Sequence, residues 1–287
     1  MTVDTPAQAR SSAGGGLRRA LACELMKLRT TRTTAGLLVT GVALAALNAG
    51  LIATLAGLEL GGQPASYPSP DQPQVLRQIY GSGAGFGYLV TLSLGILAMA
   101  GEYRHQTITP SLLAVPRRGR LVLAKLGASF LVAAALGACF VLAGAVVGAG
   151  VLAVRGYPLG LGADGVVRAM LLAVLACAVW AVFGFGLATL IRNQITALLT
   201  AIGAGWLLMP LLGLLLQTFE AGKAVAPYLP SYASEAMVSG SSGSTTVSSG
   251  GLEFHYLPWW GGALVLAAYG AVLAAAGVSL TMRRDVS

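Results

Sequence analysis

The sequence predicts an all-α integral membrane protein: six transmembrane helices preceded by an amphipathic interfacial helix, with both termini cytoplasmic. Three observations lead there. First, 56% of the 287 residues are hydrophobic and only 10% are charged, whereas a soluble domain carries about 25% charge. So few charges cannot coat a globule of this size. Second, six stretches reach the roughly 20 apolar residues that a helix needs to cross about 30 Å of hydrocarbon. They fall at 35–58, 82–100, 126–153, 169–191, 195–217 and 258–281, and none holds an Asp, Glu, Lys or Arg except near an end. Third, the basic residues are unevenly shared. Fourteen lie on one side of a six-span arrangement, and Arg77, Arg155, Arg168 and Lys223 lie on the other. The positive-inside rule makes the richer side cytoplasmic.

Each span must be helical, because lipid offers backbone N–H and C=O groups no partner and a helix satisfies its own. The ten-residue alternation of a membrane β-barrel does not occur. The net charge of +8 invites a nucleic-acid reading, but its distribution follows topology, so no nucleic-acid partner is expected. The multi-pass chain belongs in the cell's inner (plasma) membrane. Arg outnumbers Lys, and Ala, Gly and Val dominate, as in GC-rich bacterial genomes.

In chain order, residues 1–16 form a polar tail without signal-peptide character. Residues 17–33, "LRRALACELMKLRTTRT", place Leu17, Leu21, Leu25 and Leu28 on one stripe with Arg18, Arg19, Lys27 and Arg29 off it. That pattern suits a helix lying among anionic lipid headgroups. Residues 34–282 make the six-helix transmembrane domain, and 283–287 a cytoplasmic tail. The 59–81 connection holds four prolines and is expected to be irregular and external. A tight turn at "RNQ" joins spans four and five. Pro210 implies a kink near Met209–Pro210. The external loop 218–257 is expected to hold a short helix, then a flexible linker at "SGSSGSTTVSSGG", with Trp259 and Trp260 marking the outer interface. Gly137, Gly144 and Gly148 on span three read as a close-packing face within one subunit.

Chemistry is hard to place. The span centres hold no ionisable group of the kind that proton-coupled transport needs. Asn48 is the most polar deep side chain and reads first as a helix–helix hydrogen bonder. Asn48, Thr91 and Thr200 are the candidate polar residues of a translocation path. His105 and His255 fall on opposite sides of the membrane. Cys23, Cys139 and Cys177 show no metal spacing or pairing. "GSGAGFG" at 81–87 lacks the Lys-Ser/Thr ending of a phosphate loop and reads as close helix packing. No catalytic residue, metal site or cofactor is expected. Any uphill transport would need energy from another protein acting on a cytoplasmic surface.

The sizeable cytoplasmic surface between spans is the 101–125 loop, "GEYRHQTITPSLLAVPRRGRLVLAK". It gathers Glu102, Arg104, His105, Arg117, Arg118, Arg120 and Lys125 in a chain that is otherwise sparing of charge. Thr109 as N-cap and Pro110 at the first position start a short helix, Leu112 and Leu113 give it an apolar face, and Pro116 stops it. The product is a rigid knob suited to a groove in a cytoplasmic partner.

This stretch resembles the loop after span two in permease subunits of type-2 ATP-binding-cassette (ABC) transporters. Those read approximately Glu-Tyr-Arg-His-Gly-Thr, a Leu-Leu pair, Pro-x-Arg, and a Lys opening span three. "ELMKLRTTRT" resembles the family's interfacial elbow helix, and "YLPSYASEAM" its outer segment before span six. One departure is Gln106, where the family usually has Gly. The resemblance implies a permease that pairs with a second permease subunit, identical or related, and with two cytoplasmic ABC ATPase subunits. The uncharged bundle interior suits a hydrophobic or amphipathic substrate such as a drug, lipid or peptide, and the reading taken is its export, driven by ATP hydrolysis in the separate subunit. The coupling residues the resemblance implies are Glu102, Tyr103, Arg104, His105, Thr107 and Thr109, with Arg117 and Arg118 beside them. A stand-alone channel or a membrane-anchored accessory subunit is the alternative.

Overall fold

A computed structural model describes residues 13–58, 69–104, 118–191, 193–239, 245–249 and 252–283. Among them are six helices long and apolar enough to cross a membrane, so the chain is a multi-pass membrane protein. Helix α1 (Ala13–Thr30) precedes the first span, α2 (Arg32–Leu55). The second span is built from two helices, α3 (Pro73–Gly81) and α4 (Gly83–Arg104). Then come α5 (Arg118–Val154) and α6 (Val166–Leu190) as spans three and four. The fifth joins α7 (Gln194–Ile202), a π-helical turn (Gly203–Leu208) and α8 (Met209–Leu216). The sixth, α11, runs Trp259–Arg283.

Spans two and four form the centre, where Leu92, Ile96, Met99, Trp180 and Phe185 are buried together. Glycine makes this pairing possible. A Cβ on Gly95 would collide with the Ala181 carbonyl, and one on Gly184 with the Leu92 carbonyl. The two backbones therefore touch directly, which is how helices gain contact in lipid. Span three packs against both in the way its glycines suggest: a Cβ on Gly137 would lie 2.7 Å from Cys177 Cβ, one on Gly144 3.0 Å from Gly83 Cα, and one on Gly148 2.6 Å from Ile79. The glycines at 81–87 are likewise packing residues, Gly83 lying against the Phe140 carbonyl.

The break between α3 and α4 falls at Ser82, whose hydroxyl donates back to the Ile79 carbonyl at 2.6 Å. Asn48 on α2 donates to the Ser82 carbonyl at 2.9 Å, so it acts as the helix–helix hydrogen bonder expected of it. In span five the disturbance lies just before Pro210. The Met209 N–H bonds to the Ala204 carbonyl, five residues back. Proline has no N–H and its ring displaces the carbonyl one turn earlier, and the helix ahead of it widens into a π turn.

Four expectations are corrected. Residues 73–81, part of the connection read as irregular, are helical, because Pro73 sits where a first-turn proline is tolerated. Residues 118–125, read as loop, form the first turns of α5, so the connection between α4 and α5 is 105–117. The 218–257 segment holds α9 (Glu220–Val225), a 3₁₀ turn (Ala226–Tyr228) and α10 (Pro230–Ser239). Beyond α10, β1 (Thr245–Ser249) pairs antiparallel with β2 (Leu252–Tyr256), Ser249 facing Leu252. The chain is thus not purely helical, and its Ser/Gly-rich stretch contains a strand. Thr245, Thr246 and Val247 are β-branched, and the Gly250-Gly251 pair in the sequence is a two-residue hairpin signal.

Candidate functional site

Helix α1 meets the bundle through one face. Leu21, Leu25 and Leu28 are half-buried and Arg18, Arg19 and Arg29 exposed, matching the leucine stripe. Leu25 and Leu28 pack with Leu37, Leu38 and Val42 of α2 against the buried Phe140 and Leu94. Glu24 lies on this same apolar face and is buried. Its Oε2 accepts from Lys125 Nζ on α5 at 2.7 Å, and its Oε1 from Lys27 Nζ at 2.9 Å. Lys125 is 4% exposed, so the pair is shielded from water and ions. Burial raises the Glu24 carboxyl, but the hydrogen bonds and charges of Lys125 and Lys27 outweigh it and hold the group below its ordinary value.

Beside this pair is a cavity of about 460 Å³. Glu24, Lys27, Thr34, Gly101, Lys125, Ser129 and Gln194 line it. It therefore joins α1 to the ends of spans one, two, three and five on one face of the bundle. Asn193 closes that face: its side chain accepts from the N–H groups of Ile195 and Thr196 and caps α7. Its polar lining offers hydrogen bonds and paired charge; among the described residues no group of three or more His, Cys, Asp or Glu that could hold a metal occurs.

The coupling candidates frame this cavity along the chain. Glu102, Tyr103 and Arg104 form the last residues of α4, directly after the lining Gly101. Arg118 opens α5, seven residues before Lys125. His105, Thr107, Thr109, Arg117 and the short helix expected after Thr109 lie outside the described residues. Of the path candidates, Asn48 is engaged with Ser82, Thr91 is buried with its hydroxyl donating to the Gly87 carbonyl at 3.1 Å, and Thr200 is exposed on α7. The structure does not bring these three together with the Glu24–Lys125 pair. Glu24 is absent from the sequence-derived candidates, although a carboxylate three residues from Leu21 and four from Leu28 on an apolar stripe signals a buried partner.

In the core itself, aromatic side chains fasten α10 to spans two and four. Trp180 Nε1 donates to Ser234 Oγ at 2.9 Å. Its ring stacks on Tyr88 at 5.8 Å and on Phe183 at 5.1 Å, and Tyr232 of α10 stacks on Tyr256 of β2 at 5.9 Å.

Compared with known proteins, the chain matches no family model and no curated protein.

Proposed function

We propose that this chain is the permease subunit of an ABC transporter, moving a hydrophobic or amphipathic substrate outward with energy from a separate cytoplasmic ATPase. Two ATPase subunits and a second permease subunit, identical or related, complete the assembly. In this reading both termini and the 105–117 connection face the cytoplasm, and α1 is the interfacial elbow helix.

The observation that carries the reading is the buried Glu24–Lys125 pair. Lys125 sits two turns into the helix that begins where the connection ends. A force on the connection acts first on the rigid start of α5. Through Lys125 and Glu24 it acts on α1 as well, and through the chain itself it acts on the end of α4, which runs directly into the connection. An ATPase gripping the connection would thereby move α1, α4 and α5 together. The sequence offers no energy source within the chain, and this linkage offers a route for energy from outside it. Glu102 and Arg104 are the residues proposed to pair with the ATPase, and Thr109 to cap the coupling helix.

The test is co-purification from native membranes, followed by ATP hydrolysis in liposomes. The wild-type chain is expected to bring down an ATPase subunit. The Glu102→Ala, Arg104→Ala double variant is expected to lose at least about tenfold of substrate-stimulated hydrolysis, equivalent to about 1.4 kcal/mol. Unchanged assembly and hydrolysis would remove the coupling assignment. A chain active alone in liposomes would favour the channel reading.

A further inference from the structure

The end of the bundle away from the 105–117 connection holds a second charged cluster, built without a carboxylate partner. Arg77, on α3, is 6% exposed. Its Nη1 donates to the Asp164 backbone carbonyl at 3.0 Å, while its buried Nε has no hydrogen-bond partner. Arg168, in the first turn of α6, has a buried Nη2 that also lacks one. Both guanidinium groups converge on Gly165, the N-cap of α6 with φ 78°. A Cβ there would lie 2.9 Å from Arg168 Nη2 and 3.3 Å from Arg77 Nη1. Ion pairs among the described residues include those of Glu24 with Lys27 and Lys125 and of Glu220 with Lys223, none of which involves Arg77 or Arg168. Asp164 is adjacent and exposed, and it meets Arg77 through its backbone oxygen.

Two like charges at a helix N-terminus repel each other and add to the positive end of the helix dipole. Guanidinium nitrogens buried without an acceptor carry a desolvation cost. The complement to this geometry is an anion with several acceptor oxygens. A guanidinium fork fits phosphate bidentately, and a helix N-terminus contributes backbone N–H groups to the same task. Depth narrows the source. Arg168 lies at the start of span four and its guanidinium is 5.2 Å from the ring centre of Trp259, the first residue of span six. Both span ends, and a Trp ring, belong at the level of lipid headgroups.

We propose that Arg77, Arg168 and the first turn of α6 form a binding site for a phosphate group, supplied by a phospholipid headgroup of the leaflet opposite the 105–117 connection. The two guanidinium groups turn toward the phosphate oxygens and donate to them, and the Trp259 ring packs over that of Arg168. The site stands whether or not the chain serves a transporter.

The test uses the full-length protein, delipidated in non-ionic detergent and observed by native mass spectrometry. Dihexanoyl-phosphatidylglycerol and inorganic phosphate are titrated separately. The wild-type chain is expected to bind the short-chain lipid, and Arg168→Gln to need roughly tenfold more for half occupancy, the loss of a charge-assisted pair. Arg77→Lys keeps the charge but loses the Nε donor, and a severalfold weaker uptake with unchanged thermal unfolding is expected. That variant decides the matter if R168Q does not fold. Uptake of inorganic phosphate without uptake of lipid would overturn the lipid source. Equal lipid uptake by the wild type and by the folded variants would overturn the site.

Discussion

Glu24 and Lys125 are a hundred residues apart in sequence and 2.7 Å apart in space, and the environment around them decides what their substitution does. Removing one partner of a buried pair strands the other charge, at a cost of about 3 kcal/mol or more. Glu24→Gln and Lys125→Met are each expected to lower thermal stability in detergent. The double variant is expected to recover much of the loss, and a double-mutant cycle measures the coupling. The pH dependence has a definite sign. The Glu24 carboxyl is held below the ordinary value of 4.5, so its contribution is complete above that pH and fades as pH falls through the lowered value. The stability gap between the wild type and Glu24→Gln is therefore expected to be flat through neutrality and to shrink in acid. In the core, Trp180→Phe keeps an aromatic ring but removes the donor to Ser234 and part of the buried ring area. It is expected to cost more than the ~1 kcal/mol of a net hydrogen bond, because buried ring area is lost as well. The leucine stripe that faces the bundle was legible in the sequence. The partner of Glu24 was not, because pairing across a hundred residues leaves no local periodicity.

The six spans were legible as elements because lipid imposes a minimum apolar length, and no soluble context competes with that rule. What the pattern could not locate was the internal structure of the spans. The second is broken at Ser82 into α3 and α4, and Asn48 donates to the Ser82 carbonyl beside the Gly85 N–H. The fifth carries a π turn ahead of Pro210. Both features are backbone events of a few residues, invisible to a hydropathy window. The β-hairpin after α10 was hidden by composition: Ser and Gly suggest a linker, yet strand pairing depends on the β-branched residues among them. The α4–α6 contact gives the clearest test at this scale. Gly95→Leu would drive a side chain into the Ala181 carbonyl and is expected to destabilise the bundle by about 1–3 kcal/mol, as overpacking does. Gly150→Leu on α5, where a Cβ meets nothing within 4 Å, is expected to be close to neutral in the same unfolding measurement.

For the whole molecule, the distribution of polar groups is compatible with the proposed passive gate. The described spans carry their buried charge at their ends: Lys125 with Glu24 on one face, and Arg77 with Arg168 on the other. Between these faces, helices pack through glycine, alanine and aromatic rings. Such a bundle has rigid handles at both surfaces and no charge relay joining them. On the proposed reading, a cytoplasmic ATPase works the handle at the 105–117 connection, and α1 moves with it through Glu24. On that reading the partner grips Pro110, Pro116 and Arg117 of the connection together with the charged residues at the helix ends beside it. Its side is the most direct test of the account. In a chain whose Cys23, Cys139 and Cys177 are replaced by Ser, Ser111→Cys is treated with a membrane-impermeant maleimide. Labelling only after the cells are opened, with protection when the ATPase subunit is bound, is the result this account requires; labelling on intact cells would contradict it.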